Sequence, residues 1–172
     1  PEQGESLDLG VAWQTTDALG LAATWFDNDF RDLVDLDIES FRNVNRNSVQ
    51  TRGVELQADW QPLAALSLRS QVTYTDIDVK NEDTVLTGRP QWTASVVAQW
   101  QIAAHWNTAL DYLYSGQQWA ASRHTGAQVT EELDDYQRLD WVLHWQLAPA
   151  WKLQWSVDNL LDEHYATAVG FY

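Results

Sequence analysis

Apolar and polar residues alternate along most of the chain, the period of a β-strand with one buried face. Leu7, Leu9, Val11 and Trp13 fall on one face, with Asp8, Gly10, Ala12 and Gln14 opposite. Leu19, Leu21, Ala23 and Trp25 repeat the pattern, as do Val54, Leu56, Ala58 and Trp60. Further runs follow: Leu66, Leu68, Val72 and Tyr74; Trp92, Ala94, Val96, Ala98 and Trp100; Trp106, Leu110, Tyr112 and Tyr114. Leu139, Trp141, Leu143 and Trp145 make the next, and Trp151, Leu153, Trp155 and Val157 the last. The pattern predicts about eight strands.

The connections are of two kinds. Trp-Gln recurs at 13–14, 60–61, 100–101 and 145–146, each time five residues before an apolar anchor: Leu19, Leu66, Trp106 and Trp151. These are short turns. The alternate connections, roughly 27–50, 76–90 and 121–135, are longer and polar. The chain is therefore expected to run up and down, with tight turns at one end and long loops at the other. Residues 27–38 break the alternation and are expected to hold a bulge. The Trp-Gln spacing is near that of a propeller blade, but each period holds two long strands rather than four.

Side-chain volume bears on which face is buried. Trp13, Trp60, Trp100, Trp106, Trp145 and Trp151 all flank the short turns. The interior of an eight-stranded barrel is only wide enough for ordinary side chains, so six indoles in one layer fit poorly inside. Pointing outward, they form an interfacial girdle, with the ring at the headgroup level of a membrane. Tyr74, Trp92 and Tyr114 mark a second belt, eight residues from Leu66, Trp100 and Trp106. Eight residues of tilted strand span about 20 Å, close to the apolar band of a membrane barrel.

Composition narrows the possibilities. The formal net charge of −15 opposes nucleic-acid binding. There is no Cys, so disulfides and thiolate metal sites are excluded. No run is apolar enough for a transmembrane helix, which leaves a strand-built membrane protein open. The chain has no Met and no leading signal segment, and is expected to be an internal piece of a longer protein. His105, His124, His144 and His164 show no metal-binding spacing. Asp27, Asp29, Asp32, Asp35, Asp37 and Glu39 lack the Gly and the final Glu of a calcium loop and read as solvated carboxylates. They could still hold divalent ions that bridge lipid phosphates. No Gly-x-Ser-x-Gly elbow or Gly-rich phosphate loop occurs, so neither catalysis nor a cofactor is expected. Glu55, Gln57, Arg69, Gln71, Asp111 and Asp140 lie on the polar face, as hydrated wall or as contacts to whatever fills the interior.

Four stretches resemble the C-terminal part of TonB-dependent outer-membrane receptors, the plugged 22-stranded transporters of vitamin B12 and iron-siderophore chelates. They are "PEQGESLDLGV" (1–11), "WFDNDFRDLVDL" (25–36), "NVNRNSVQTRGVELQADW" (43–60) and "SVDNLLDEHYATAVGFY" (156–172). The resemblance implies an all-β antiparallel up-and-down meander, residues 1–172 forming part of the wall of a transmembrane β-barrel in the bacterial outer membrane. The family's plug, earlier strands and final strand are then expected outside this sequence. The implied partners are outer-membrane lipids, the plug and remaining strands, TonB acting through the N-terminal part, and an iron-siderophore or cobalamin ligand.

Two other architectures fit the same alternation. An independent eight-stranded outer-membrane barrel requires the first strand to pair with the last. A soluble β-barrel binding a small apolar ligand requires Trp13, Trp60 and Trp100 to share a core.

Overall fold

The computed structural model describes residues 2–37, 40, 42–80, 85–122 and 129–169. Among the described residues ten strands follow one another: β1 (Gln3–Thr16), β2 (Leu19–Asp37), β3 (Arg42–Leu63), β4 (Leu66–Val79), β5 (Trp92–Ala103), β6 (Trp106–Ser115), β7 (Gln118–Ser122), β8 (Val129–Leu133), β9 (Tyr136–Ala148) and β10 (Trp151–Val157). Eight of them form a single antiparallel sheet in the order β1-β2-β3-β4-β5-β6-β9-β10. β7 and β8 make a separate hairpin in the connection between β6 and β9. β1 and β10 are the two edges and do not pair with each other, so the sheet is open.

One loop expected from composition is largely strand, and two others are partly so. The polar stretch 27–50 carries β2 up to Asp37 and begins β3 at Arg42. Backbone pairing with a long neighbour holds such residues in a sheet whatever their polarity, because strand propensity is weak against tertiary context. Likewise the stretch 121–135 contains the end of β7 and all of β8, and 76–79 belongs to β4. The expected bulge in 27–38 is not one. Arg31 pairs Ser48 and Leu33 pairs Arg46, so no residue is inserted on either strand. Instead Asp32 adopts a left-handed backbone (φ 54°), which Asp tolerates better than most residues.

The bulges lie at the short turns. Register shifts between Gln14 and Thr16, Trp60 and Leu63, Gln101 and Ala103, and Trp151 and Lys152. Each turn thus takes up an extra residue beside its Trp-Gln pair. In three of the four turns the Gln side chain ties it. The Gln14 amide donates to the Thr16 carbonyl at 2.8 Å and the Gln146 amide to the Ala148 carbonyl at 2.7 Å. Gln61 makes a longer bond of 3.4 Å to Ala64. Backbone bonds then link neighbouring turns: the N–H groups of Gln61, Gln101 and Gln146 donate to the carbonyls of Ala18, Ala65 and His105 at 2.7, 2.8 and 2.9 Å. One sequence device therefore closes its own hairpin and extends the ladder into the preceding turn.

Hydrogen-bonded rows climb across the sheet. One row runs Leu19, Trp60, Leu68, Ala98, Leu110, Trp141, Val157. It begins at the short turns in β2 and ends at the far end of β10. This stagger is the shear that strands need to wrap round a barrel.

Among the described residues the buried apolar side chains are few and lie at the long-loop end. Val49, Val79 and Leu86 form a cluster against which Phe30, Leu33 and Ile77 pack. Phe30, Val49 and Val79 are lateral partners on the face opposite the tryptophans. The left-handed Asp32 interrupts the alternation, and Leu33 packs with Phe30 on this same cluster. It fixes the 85–91 segment to the tops of β2, β3 and β4.

Candidate functional site

The sheet has two chemically distinct faces. On the tryptophan face Trp13, Trp60, Trp100 and Trp151 flank the four short turns and are 65, 48, 47 and 66% exposed. None enters a core, which removes the soluble-barrel reading. Trp106 and Trp145, lateral partners at the same end, stack with ring centroids 4.8 Å apart and planes 8° off parallel. Trp155, absent from the expected girdle, continues the stack 6.4 Å from Trp106. Its place on β10, four residues beyond Trp151, hid this neighbour from any one-dimensional reading.

The aromatics at the far ends of these strands are also neighbours. Tyr74 and Trp92 are lateral partners with ring centroids 4.8 Å apart, while Leu66 and Trp100 pair at the other end of the same two strands. Tyr114 pairs Ala94 one row away. Beyond these aromatics the chemistry changes within one row on β2, β3 and β4. The row Leu9, Trp25, Val54, Tyr74 is followed on this face by Leu7, Asp27, Arg52, Asp76. There Gln50 donates to Asp27 at 2.9 Å and Arg52 lies 3.7 Å from Asp76. One pair of polar side chains on this apolar face is satisfied locally, as burial away from water favours. The Trp141 indole N–H donates to the Thr108 hydroxyl at 2.8 Å, which donates in turn to the Val142 carbonyl at 2.8 Å.

The opposite face is polar and hydrogen-bonded. Ser6, Asn28 and Thr51 form a chain with bonds of 2.6 and 3.1 Å across β1, β2 and β3. Asp59 accepts from Arg69 at 2.6 Å and from Gln57 at 2.7 Å. Arg138 and Asp140 pair at 3.0 Å. His144 leaves its Nδ1 without a partner, aimed away from water on this face. Gly53 sits where β3, β4 and the Phe26 ring converge. A Cβ there would lie 2.0 Å from the Tyr74 carbonyl oxygen and 2.6 Å from Phe26 Cζ. Glycine is the only residue this crossing admits.

The segment after β10 folds back against this face. The Asn159 N–H donates to the Asp140 carboxylate at 2.9 Å, and the Asn159 side chain exchanges bonds with the backbone of Glu163 at 3.0 and 3.1 Å. Asn159 and Asp162 are left-handed (φ 53° and 52°), which ends the strand. Tyr165 then stacks on Tyr136 at 4.2 Å. These contacts give physical content to the "NLLDEHY" stretch.

At the long-loop end, Gly88 N–H donates to the Trp119 carbonyl at 2.7 Å and joins the 85–91 segment to the β7-β8 hairpin. Between them lies a cavity of about 260 Å³ lined by Ile77, Val79 and Leu86 on one side and by Arg89, Trp119 and Glu132 on the other. The acidic run does not converge on one point. Asp27 meets Gln50, Asp29 lies 3.7 Å from Arg31, and Glu39 falls outside the described residues. His105, His144 and His164 lie apart, at a turn, on the polar face and after β10, and His124 lies outside the described residues.

The fold and the sequence find the same relatives. Solved structures superpose over nearly the whole chain. The ferripyoverdine receptor of the outer membrane of Pseudomonas aeruginosa covers 99% of it with a TM-score of 0.78 at 16% identity. The ferric yersiniabactin uptake receptor of Yersinia pestis covers 97%, TM-score 0.78, at 20% identity. The copper transporter OprC covers 96%, TM-score 0.75, at 19% identity. The chain spans about a quarter of the length of each, 25, 26 and 26% respectively. No curated protein matches it at a significant level. Residues 1–160 match the family described as TonB dependent receptor-like, beta-barrel. An open, staggered sheet with one aromatic-bounded apolar face and one polar face is what a segment of such a wall requires, and the chain belongs to the TonB-dependent receptor family of outer-membrane β-barrels.

Proposed function

We propose that residues 1–172 are the C-terminal portion of the barrel wall of a receptor that carries a scarce metal chelate across the outer membrane. The two unpaired edges support this placement most directly. β1 and β10 leave ladders open on both sides, and open edges in hydrocarbon cost several kcal/mol per unsatisfied group. Further strands of the same barrel would satisfy them. An independent eight-stranded barrel would instead join β1 to β10, and that pairing is not made.

In this reading the nine aromatic residues Trp13, Trp60, Trp100, Trp106, Trp145, Trp151, Tyr74, Trp92 and Tyr114 mark the two membrane interfaces. The Trp-Gln turns face the periplasm, and the β2-β3, β4-β5 and β7-β8 connections face outward. The polar face, with Arg69, Asp59 and His144, borders the plug. The wall performs no chemistry. It spans the membrane, frames the vestibule and presents loops, while TonB acts through the plug. Among the similar structures, two are named for iron-siderophore complexes and one for copper. That favours an iron chelate as cargo over cobalamin.

Deletion of the complete gene followed by growth on single ferric siderophores and on cobalamin tests the reading. Loss of growth on one ferric chelate, restored by the gene, supports it. Unchanged uptake of every chelate and of cobalamin contradicts it.

A further inference from the structure

The cavity between the 85–91 segment and the β7-β8 hairpin joins two parts that are held differently. The segment is fixed to the main sheet: Leu86 packs in the buried cluster, and the Thr75 N–H donates to the Gln91 carbonyl at 2.8 Å. The hairpin belongs to no larger sheet, since β7 and β8 pair only with each other. Ile77, Val79 and Leu86 give the cavity an apolar floor. Arg89 from the segment, with Trp119 and Glu132, lateral partners on the hairpin, completes it. Arg89 and Glu132 share this lining, yet neither makes an ion pair or a side-chain hydrogen bond among the described residues. We propose that the cavity is a subsite for one planar aromatic arm of an anionic ferric chelate, its ring between Trp119 and the apolar floor and its negative oxygens turned to Arg89.

Size, donor chemistry and charge each narrow the occupant. The volume of about 260 Å³ falls below the roughly 300–1,000 Å³ of pockets that take a whole small molecule. The cavity therefore takes an appendage and leaves the rest of the chelate in the open. Iron itself is not ligated here. Among the described residues Glu132 is the only carboxylate in the lining, and no group of three metal-ligating side chains occurs. The metal stays with the chelate's own oxygens, and the protein reads the organic periphery. A flat ring uses the floor and the indole together, and Trp119, 37% exposed, has surface left to cover. An aliphatic arm would cover the floor but gain no stacking. Arg89 is an unpaired cation in a chain of net charge −15. Its planar fork matches the paired oxygens of a catecholate or an aryl carboxylate. Glu132 repels an anion placed elsewhere in the cavity, which orients the arm.

Val79 pairs Val49 on the face opposite the tryptophans, so the cavity lies on the inner side of the wall at the long-loop end. In the orientation proposed above that is the outer mouth of the vestibule. The inference rests on the reading of the chain as part of a chelate receptor and adds which chelates it favours.

Equilibrium binding of two probes to the complete, detergent-purified receptor tests the subsite. One is the ferric complex of dihydroxybenzoylserine, with anionic catecholate rings; the other is ferric desferrioxamine B, an aliphatic hydroxamate chelate. The catecholate is expected to bind. Arg89→Gln should weaken it by about 10- to 100-fold and Trp119→Ala by about tenfold, while Trp119→Phe keeps most of the affinity. Unchanged catecholate affinity in Arg89→Gln and Trp119→Ala overturns the inference. So does a receptor that binds the hydroxamate alone, although chelate uptake as such then stands. Binding of neither probe overturns it as well, and the growth test above then shows whether chelate uptake also fails. If the variants do not fold, hydrogen exchange of the unaltered receptor decides. The ferric catecholate should slow exchange in both 85–91 and 117–122, and unchanged exchange in either segment overturns the subsite.

Discussion

Replacing Gly53 by Ala tests the packing of the polar face. The methyl group would lie 2.0 Å from the Tyr74 carbonyl oxygen and 2.6 Å from Phe26 Cζ. The ring can rotate away. The carbonyl cannot, because Val54 pairs Tyr74 and Gly53 pairs Thr75 in an unbroken register from Val49 to Trp60. Relief requires parting β3 from β4. Overpacking costs about 1–3 kcal/mol, and each ladder bond lost adds about 1 kcal/mol. Together these predict about 3–5 kcal/mol for one added methyl group. Gly88→Ala provides the contrast. Gly88 is left-handed (φ 69°) with nothing within 4 Å of a built Cβ. It should cost only the backbone term, about 1 kcal/mol. Urea unfolding of the complete barrel in vesicles, followed by tryptophan fluorescence and by heat-dependent gel migration, measures both. Adding Phe26→Ala to Gly53→Ala should not restore stability, since the carbonyl clash remains. A Gly53→Ala barrel as stable as the parent, or one rescued by Phe26→Ala, would refute the reasoning.

Three further substitutions separate other parts of the wall. Gln146→Ala removes a donor shared by the Ala148 and Trp151 carbonyls, and should lower stability by about 1 kcal/mol in the same urea assay. Thr108→Val leaves the Trp141 indole N–H without its acceptor inside the apolar band; a loss of about 1–2 kcal/mol is expected, larger in vesicles than in detergent. Asp140→Ala removes one partner of Arg138 and the acceptor of the Asn159 N–H, and should cost about 2 kcal/mol. It should also expose the 158–165 segment to protease, read by the position of the first cleavage.

Much of this architecture is legible in one dimension because a membrane wall writes its two faces as alternate letters. Trp13, Trp60, Trp100 and Trp151 could be placed outside by volume alone. Tyr74 and Trp92 could be set level with each other because they lie eight residues along their strands from Leu66 and Trp100, which also pair. What lay hidden depends on contacts between distant residues. The polar 27–50 stretch reads as loop, yet the ladder between β2 and β3 carries it as strand, with Phe30, Val49 and Val79 turned inward under Leu86. The bulges fell beside the Trp-Gln pairs rather than at 27–38, since the turn must take up a residue that a regular strand does not. The Gln in each pair read as a turn residue; the donation of Gln14, Gln61 and Gln146 to turn carbonyls needs a folded hairpin to be seen. The Trp106–Trp145–Trp155 stack depends on strand order, which alternation does not encode.

This chain has no cysteine, so in a receptor cleared of cysteines elsewhere a single introduced thiol reports its own location, and this tests the wall and its orientation most directly. Arg89→Cys places a thiol in the segment between β4 and β5, and Ala64→Cys places one in the short turn between β3 and β4. In intact cells carrying the complete receptor, a membrane-impermeant maleimide should label Arg89→Cys at once. Ala64→Cys should react only after the outer membrane is opened. Equal labelling of the two in intact cells, or labelling of Ala64→Cys alone, would contradict a wall that spans the outer membrane with its Trp-Gln turns in the periplasm.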